Sequence, residues 1–400
     1  IYTGEDTLSL HDALPIYVSV ENSPFFVFAK KDGDPEFKAE MRELIKDSIQ
    51  PALKRYADYL EQNYISQARD VVGVSALPAG KECYAAKVEE ESTLEISPQA
   101  IFDFGHAHME SLTREIGEIG KRLWGVEGNN LVFQTAKKKT QGFFHSEQEI
   151  LAYNLDALQR AQNKIPEVFI SAPKARGELK PYPLHQAQTG APGEYHPPAE
   201  DGSRPGVFYI NTFQPQKRSR VDQEATLFHE LIPGHHFQIA LAMETPTGHS
   251  LDKYLWNSGY GEGWALYVER LADELGLYQD DISRLGMLSN EALRTARLVV
   301  DPGLHVLGWS RDQAIQYLKQ NTALDEAIIE GEVDRYIMNP GQATSYFLGK
   351  REIERLRDLA QSKLGVKFDI KEFHHQVLKN GAVTLPMLNE QIQRYIQINS

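Results

Sequence analysis

The sequence predicts a mainly α-helical protein with a small β-sheet. Apolar residues recur at helical spacing along most of the chain, and extended segments are few. From Val221 onwards the helical pattern continues almost to the C-terminus, with breaks at three places rich in proline or glycine. These breaks lie at Pro302–Gly303, Pro340–Gly341 and Gly381.

Three N-terminal helices are predicted from periodicity and capping residues. Residues 35–64 carry apolar side chains close to a 3.6-residue period. A second helix begins at Ser97–Pro98, where serine suits the N-cap and proline the first turn, and extends to about Trp124. A third helix follows Ser146, because Ser146 and Glu149 have the spacing of a capping box.

The middle of the chain is expected to hold the sheet and a long irregular connection. Two segments, Glu167–Ser171 and Val207–Thr212, have the composition of strands. Prolines and glycines accumulate over residues 173–215, and connections of this length are often functional. We expect Val207–Thr212 to be an edge strand beside the helix that carries the chemistry.

Charge and composition restrict the partners. A formal net charge of −14 disfavours binding to nucleic acids or to an anionic membrane surface. No stretch approaches the ~20 apolar residues of a transmembrane helix. The single cysteine, Cys83, excludes a disulfide framework and a cysteine-rich zinc site. A bound metal would therefore need imidazole and carboxylate ligands, and the chain has 13 histidines.

Residues 1–16 are set aside from the fold prediction. Thr7–Ile16 resembles the conceptual translation of a sequencing adapter, although a short amphipathic helix is the alternative interpretation. We therefore expect residues 17–400 to be the C-terminal part of one domain whose natural N-terminus, with any targeting signal, is missing.

The segment of residues 225–238, ATLFHELIPGHHFQ, concentrates groups that bind metals. Zinc sites on helices usually place two histidines at i and i+4, and the glutamate after the first histidine acts as general base. His229 and Glu230 fit the first half of this pattern, but Pro233 occupies the i+4 position. The second metal ligand must therefore come from a different spacing.

His235 and His236 are the candidates for that second ligand. Position i+7 returns to within ~20° of the starting helix face, which favours His236, but it lies ~10.5 Å along the axis. Proline distorts a helix, so a bulge at Pro233–Gly234 would bring His235 into the usual place of the second ligand. We favour His235, with His236 as the alternate ligand or as a group beside the site.

A site with two histidines needs a third protein ligand and one open position for water. The segment Gly259–Glu269, GYGEGWALYVE, offers Glu262 and Glu269, which are seven residues apart and share a helix face. Glu262 stands between two glycines, so it can approach a neighbouring helix closely. We expect Glu262 to be the third ligand and Glu269 to support the site, although a solvated carboxylate at a helix start is the alternative for Glu262.

The HExxPGHH run at residues 229–236, followed by GEGW at residues 261–264, resembles the bacterial family called domain of unknown function 885. That family is grouped with gluzincin-type metallopeptidases. The resemblance extends over essentially residues 17–400, with further agreeing segments at LPAG (77–80), DGSRPG (201–206), RLVVD (297–301) and NPGQA (339–343).

The resemblance implies a gluzincin-like, multi-helix metallopeptidase fold with a small sheet beside the active-site helix. It implies one zinc ion per chain, with His229 as first ligand, Glu262 as third ligand and Glu230 as general base. It also implies a zinc-dependent peptidase that cleaves a peptide or small amide, and a location in the cell envelope or periplasm.

The remaining roles in such a mechanism are hypotheses. Tyr346 is the first choice to stabilise the oxyanion, with Tyr336 and His305 as alternatives. Asn211 would contact the peptide from the edge strand. Arg297 and Arg335 would hold a substrate carboxylate.

Two other functions compete with a zinc peptidase. One is a zinc hydrolase of a non-peptide amide or ester. The other is a catalytically silent binding protein that retains the fold. The intact His229, Glu230 and Glu262 count against the silent protein. The oligomeric state is not predicted.

Overall fold

The computed structural model describes residues 18–183, 187, 193–245 and 255–400. The segment set aside above, residues 1–16, lies outside this range. The chain forms two compact units, one extending to Val72 and the other comprising Gly73–Ser400. Helices account for 71% of the structure, which confirms a mainly α fold with a small sheet.

The described part of the first unit consists of short helices. They are α1 (Val27–Lys31), α2 (Pro35–Leu44) and α3 (Gln50–Tyr59). The helix predicted over residues 35–64 forms, but wider π-type turns at Ile45–Ile49 and Leu60–Tyr64 interrupt it. Pro51 has no N–H to donate to the preceding turn, which accounts for the first of these changes in register.

The second unit begins with four helices, of which the second and the fourth were predicted from the sequence. They are α4 (Gly80–Ser92), α5 (Pro98–Trp124), α6 (Asn129–Thr140) and α7 (Glu147–Val168). Ser97 Oγ accepts a hydrogen bond from Ala100 N at 3.2 Å, and Ser146 Oγ accepts one from Glu149 N at 3.2 Å. The Glu149 carboxylate binds the amide of His145, so only half of the predicted capping box is formed.

Three short strands form one mixed sheet. They are β1 (Gly177–Pro181), β2 (Gly193–His196) and β3 (Gly206–Ile210). Their order is β1-β3-β2, with β1 parallel and β2 antiparallel to β3. The segment expected to be a long irregular connection, residues 173–215, contains all three strands, of which only the one at Val207–Thr212 was predicted.

Two strand predictions were wrong. Residues 207–210 lie in the central strand β3, whereas β2 is at the edge, so the edge-strand prediction fails. Glu167–Ser171 is not a strand. Its first two residues are the last residues of α7, which ends at Val168, and the other three follow the helix without pairing in the sheet.

The rest of the chain is helical. Its helices are α8 (Gln223–Glu230), α9 (His235–Glu244), α10 (Ser258–Glu274), α11 (Asp281–His305), α12 (Arg311–Asn321), α13 (Glu326–Met338), α14 (Ser345–Leu364), α15 (Ile370–Leu378) and α16 (Leu385–Asn399). Within the described range, no helix is both long and apolar enough to cross a bilayer.

Helix α10 lies in the apolar core, with Tyr260, Trp264 and Tyr267 buried along it. Its close contact with α14 depends on glycine, because a Cβ on Gly263 would lie 2.5 Å from the carbonyl carbon of Gly349. This approach places the start of α10, with Glu262, at a fixed position beside the neighbouring helices.

Candidate metal centre

The candidate metal-binding motif, residues 229–236, spans a break between two helices. Helix α8 ends at Glu230, and α9 begins at His235. Between them Leu231 has φ −106° and ψ −93°, outside helical geometry, and the Ile232–Pro233 peptide bond is cis. The sequence predicted a bulge within one helix, whereas the structure has two helices.

Gly234 permits the short distance between the two helices. A Cβ at this position would lie 1.8 Å from the carbonyl oxygen of His229, so only glycine fits without moving the backbone. The imidazole rings of His229 and His235 consequently lie with centroids 4.8 Å apart and planes at 88°. The break therefore produces a pair of adjacent histidines that a continuous helix would obtain from i, i+4 spacing.

Glu262 completes a group of three possible ligands. Its Oε2 lies 3.6 Å from His229 Nε2 and 3.4 Å from His235 Nε2. The ligand atoms of the three residues all lie within 4.8 Å of one another. Ligands about 2.05 Å from a tetrahedral zinc ion are separated by about 3.4 Å, so the two carboxylate–imidazole distances suit a shared ion.

Glu269 lies behind His229, on the other side of the imidazole ring. Its Oε1 is 2.8 Å from His229 Nδ1, and its Oε2 accepts a hydrogen bond from Asn290 Nδ2 at 3.2 Å. A buried carboxylate bound to Nδ1 favours the tautomer with the proton there and leaves the Nε2 lone pair for a metal. The predicted supporting place of Glu269 agrees with this arrangement.

The charges in the triad are strongly coupled. Burial disfavours a protonated imidazole, but hydrogen bonds to Glu262 and Glu269 outweigh it and raise the pKa of His229 to about 9. Burial likewise disfavours the Glu262 carboxylate, but the nearby His235 and His229 hold its pKa well below the usual value. His235 Nδ1 is buried without a partner among the described residues. The donor set therefore suits a cation, because its carboxylate stays ionised and compensating positive charge is favoured.

His236, the alternate ligand, contacts the sheet instead of the triad. Its Nδ1 accepts a hydrogen bond from the Tyr195 hydroxyl at 2.9 Å, and its Nε2 donates to the Ala175 carbonyl at 3.1 Å. The ring packs against Gly177 and Gly206, where a Cβ would come within 2.7 Å and 2.5 Å of it. Both nitrogens are used, so His236 is not available as a ligand in this arrangement.

The triad opens onto a cleft of about 360 Å³. Glu230 and Tyr346 line the same cleft as the three candidate ligands, and the edge strand β2 contributes Gly193, Glu194 and Tyr195 to its wall. A larger cavity of about 480 Å³ lies along the N-terminal part of α8 and contains none of the triad residues. The smaller cleft is therefore the one that the candidate ligands line.

The sequence profile of DUF885, a family of bacterial proteins of unknown function, matches residues 6–392. This chain belongs to that family. No curated protein sequence is similar to it.

Two solved structures share the fold. One is described as a putative lipoprotein from Colwellia psychrerythraea; it is 31% identical with a TM-score of 0.85, and the match covers 95% of this chain and 68% of that one. The other, described as a putative lipoprotein of unknown function from Shewanella oneidensis, is 19% identical with a TM-score of 0.70, and the match covers 91% and 68%.

Several residues that sequence reasoning assigned to this family member's site lie elsewhere. His305 is buried, with Nδ1 accepting from Val74 N at 3.2 Å and Nε2 donating to the Tyr336 carbonyl at 3.0 Å. Arg297, Arg335 and the Tyr336 hydroxyl all bind Glu332.

Asn211 also lies outside the cleft. Its Nδ2 donates to the Ala187 carbonyl at 3.0 Å, and its Oδ1 accepts from Phe213 and Arg218. It lines the larger cavity instead. The catalytic candidate His305 and the substrate-binding candidates Asn211, Arg297, Arg335 and Tyr336 are therefore not among the residues that line the cleft.

Arg294 is the cationic residue among the described lining of the cleft, and the sequence analysis missed it. It is three residues before Arg297 in α11, hence one turn away on a similar face. Nothing in the local sequence separates the arginine that faces the cleft from the one that is paired inside the protein.

Proposed function

We propose that this protein is a zinc-dependent hydrolase, and specifically a peptidase of the gluzincin type. The observation that carries the proposal is the convergence of His229, His235 and Glu262 at zinc-ligand spacing, with Glu269 oriented behind His229. A catalytic zinc site has three protein ligands and an open position, and this triad faces a cleft instead of being enclosed.

Glu230 and Tyr346 are the side chains proposed to act on the substrate. When bound, zinc would lower the pKa of a coordinated water and polarise the scissile carbonyl. Glu230, adjacent to the first ligand and in the same cleft, accepts the proton from the attacking water and delivers it to the leaving amine. The Tyr346 hydroxyl donates to the oxygen that becomes negatively charged.

The edge strand β2 is proposed to position the peptide. It pairs with β3 on one side, and its residues 193–195 line the cleft. An extended substrate would add to the other edge of β2 by backbone hydrogen bonds. This role replaces the one that the sequence analysis gave to Val207–Thr212.

The cell envelope is the proposed location. The two solved structures that share the fold are both described as putative lipoproteins. The net charge of −14 disfavours nucleic acid as a partner. The hydropathy pattern shows no stretch of apolar residues long enough to span a bilayer.

Zinc content and peptide cleavage test the proposal together. We expect about one zinc ion per wild-type chain by elemental analysis, and sharply less in Glu262→Ala. Glu230→Gln should keep its zinc and lose about 10²- to 10⁴-fold in the rate of peptide cleavage, because the general base is removed. His375→Gln, at an exposed position in α15, is the control and should match wild type in both measurements.

The outcomes separate the competing functions. A zinc-free wild type, even after zinc is offered, would overturn the metal site. A zinc-loaded wild type that cleaves esters or non-peptide amides but no peptide would retain the hydrolase and reject the peptidase. Zinc without any hydrolysis would indicate the silent binding protein.

A further inference from the structure

Among the residues that the structure describes, Arg294 is a cation without an anionic partner. Within residues 18–183, 187, 193–245 and 255–400 it forms no ion pair, and its one hydrogen bond joins Nη1 to the Asn290 carbonyl of its own helix at 3.4 Å. Among these residues, no acceptor contacts its buried Nε. Its Nη2 also has no protein acceptor, but this atom is not fully buried. The guanidinium therefore has donors to spare.

The neighbouring arginine in α11 provides a comparison. Arg297 is buried, whereas Arg294 is partly exposed; Glu332 binds the Nη2 of Arg297 at 2.9 Å, and the Tyr336 hydroxyl binds its Nε at 3.0 Å. Glu332 also contacts Arg335, so the positive charge in that region is offset within the protein. In the described part of the chain, no acidic residue pairs with Arg294 as Glu332 does with Arg297.

Arg294 is held in the cleft that contains the triad. Its guanidinium carbon lies 5.9 Å from the centroid of the Tyr346 ring, and Arg297 lies 4.8 Å from the same centroid. Helix α11 is long and well buried around this position, so the guanidinium is presented from a rigid element. It shares the cleft with Glu262 but lies too far away to form a salt bridge with it.

The charge of the cleft makes this position selective. Among the lining residues that the structure describes, Arg294 is the single arginine or lysine, whereas Glu194, Glu230 and Glu262 are acidic. The chain as a whole carries −14. Within the described lining of the cleft, a negatively charged group is therefore repelled by three carboxylates and attracted by Arg294, whose guanidinium fork can bind a carboxylate by two hydrogen bonds.

We infer that Arg294 anchors a substrate carboxylate next to the scissile bond. The substrate class is accordingly short peptides or related amides with a free carboxylate near the cleaved bond, either the C-terminal carboxylate or an acidic side chain. This inference rests on the proposed hydrolase function, since it takes the triad as the place of cleavage.

The test compares peptides that differ by one carboxylate. Zinc-loaded full chain is assayed with a short peptide ending in a free carboxylate, with the same peptide amidated, and with the amidated peptide carrying glutamate in place of its last residue. Wild type should cleave a carboxylate-bearing form with kcat/KM about 10- to 100-fold above the amide, as expected for a charge-assisted pair. Preference for the free terminus identifies an α-carboxylate, and preference for the glutamate peptide identifies a side chain.

Variants of Arg294 assign the preference to its guanidinium. R294Q should lose most of the preference, through a higher KM for the carboxylate-bearing peptide. R294K keeps the charge without the fork and should retain part of the preference. R351Q is the matched control, because Arg351 also stacks on an aromatic ring, that of Phe104 at 4.5 Å, but does not line the cleft.

A binding measurement keeps this test independent of turnover. Calorimetric titration of zinc-loaded E230Q with the free-acid and amidated peptides should show tighter binding of the acid, and the additional R294Q change should remove the difference. An equal preference for the acid with and without Arg294, in a protein whose zinc content and circular dichroism are unchanged, would overturn the inference. Cleavage of acid and amide at equal rates by wild type would overturn it while leaving the peptidase intact.

Discussion

The chain buries two kinds of histidine, and their environments differ in one respect. His305 and His374 each have both ring nitrogens bound by protein groups; His374 donates to the Val168 carbonyl at 2.8 Å and accepts from the Tyr267 hydroxyl at 2.8 Å. In the cleft, His229 and His235 both direct Nε2 towards the Glu262 carboxylate at more than 3.3 Å, and His235 Nδ1 has no described partner.

The contrast shows how a metal-binding histidine is recognised in a protein with many buried imidazoles. A structural histidine is neutral and saturated, as the lowered pKa of His374, about 3 because of burial, indicates. A candidate ligand, in contrast, has a ring nitrogen that faces the Glu262 carboxylate across a space that a cation could occupy. His236 belongs with the structural group although it is adjacent in sequence to His235.

The largest expected effect separates these two adjacent histidines. His235→Ala should weaken zinc binding by at least about 100-fold, more than the loss typical of a residue that only supports a ligand. His236→Ala should weaken zinc binding by less than about 100-fold, because it removes contacts to the sheet and not a ligand. Competition titration with a chelating dye measures both. Equal losses of zinc affinity in the two variants would contradict the assignment of His235 as a ligand and of His236 as a structural residue.

An intermediate effect is expected in the pH dependence of stability. His374 stays neutral when folded but is protonated below pH 6.5 when unfolded, so the unfolded state binds more protons and stability falls as the pH is lowered. Between pH 8 and pH 5 this amounts to about 2 kcal/mol of unfolding free energy. Urea titrations of wild type and His374→Gln should show a flatter profile in the variant. His375→Gln, the exposed neighbour, should follow wild type, and parallel profiles for all three would contradict the assignment.

The smallest effect concerns the carboxylate behind the first ligand. Glu269→Gln keeps an acceptor for His229 Nδ1 but removes the charge, so zinc affinity should fall by about 10-fold. Glu352→Gln, in the Arg355 ion pair away from the cleft, provides the comparison and should leave zinc affinity unchanged. A Glu269→Gln variant with wild-type affinity would mean that the hydrogen bond alone orients the ring.

Much of the fold could be predicted because long helices have a recognisable apolar period and recognisable capping residues in the sequence. Helix α5 was predicted with both ends, since Ser97 and Pro98 mark its start. The sheet was harder, because strands of four or five residues between prolines show too few alternations to be recognised, and pairing order is not encoded locally.

The candidate site was predictable only as far as residue types allow. His229, Glu230 and Glu262 stand in patterns whose chemistry is specific, whereas the path of the chain after Pro233 decides which histidine follows. Because the helix is interrupted there, helical periodicity cannot predict which face the residues after the break occupy. The distinction between Arg294 and Arg297 depends on the distant Glu332, so it could not be obtained from the helix alone.

The close approach at Gly234 also bears on attempts to transplant this candidate metal site. An HExxH motif can be grafted as one helix, since its spacing depends on helical geometry alone. Here the pair of ligands depends on a contact between two helix ends, and the adjacent His236 needs glycines at 177 and 206 to seat its ring. A host scaffold would have to receive the eight-residue motif together with part of the sheet, so the natural unit of exchange is the whole region and not the motif.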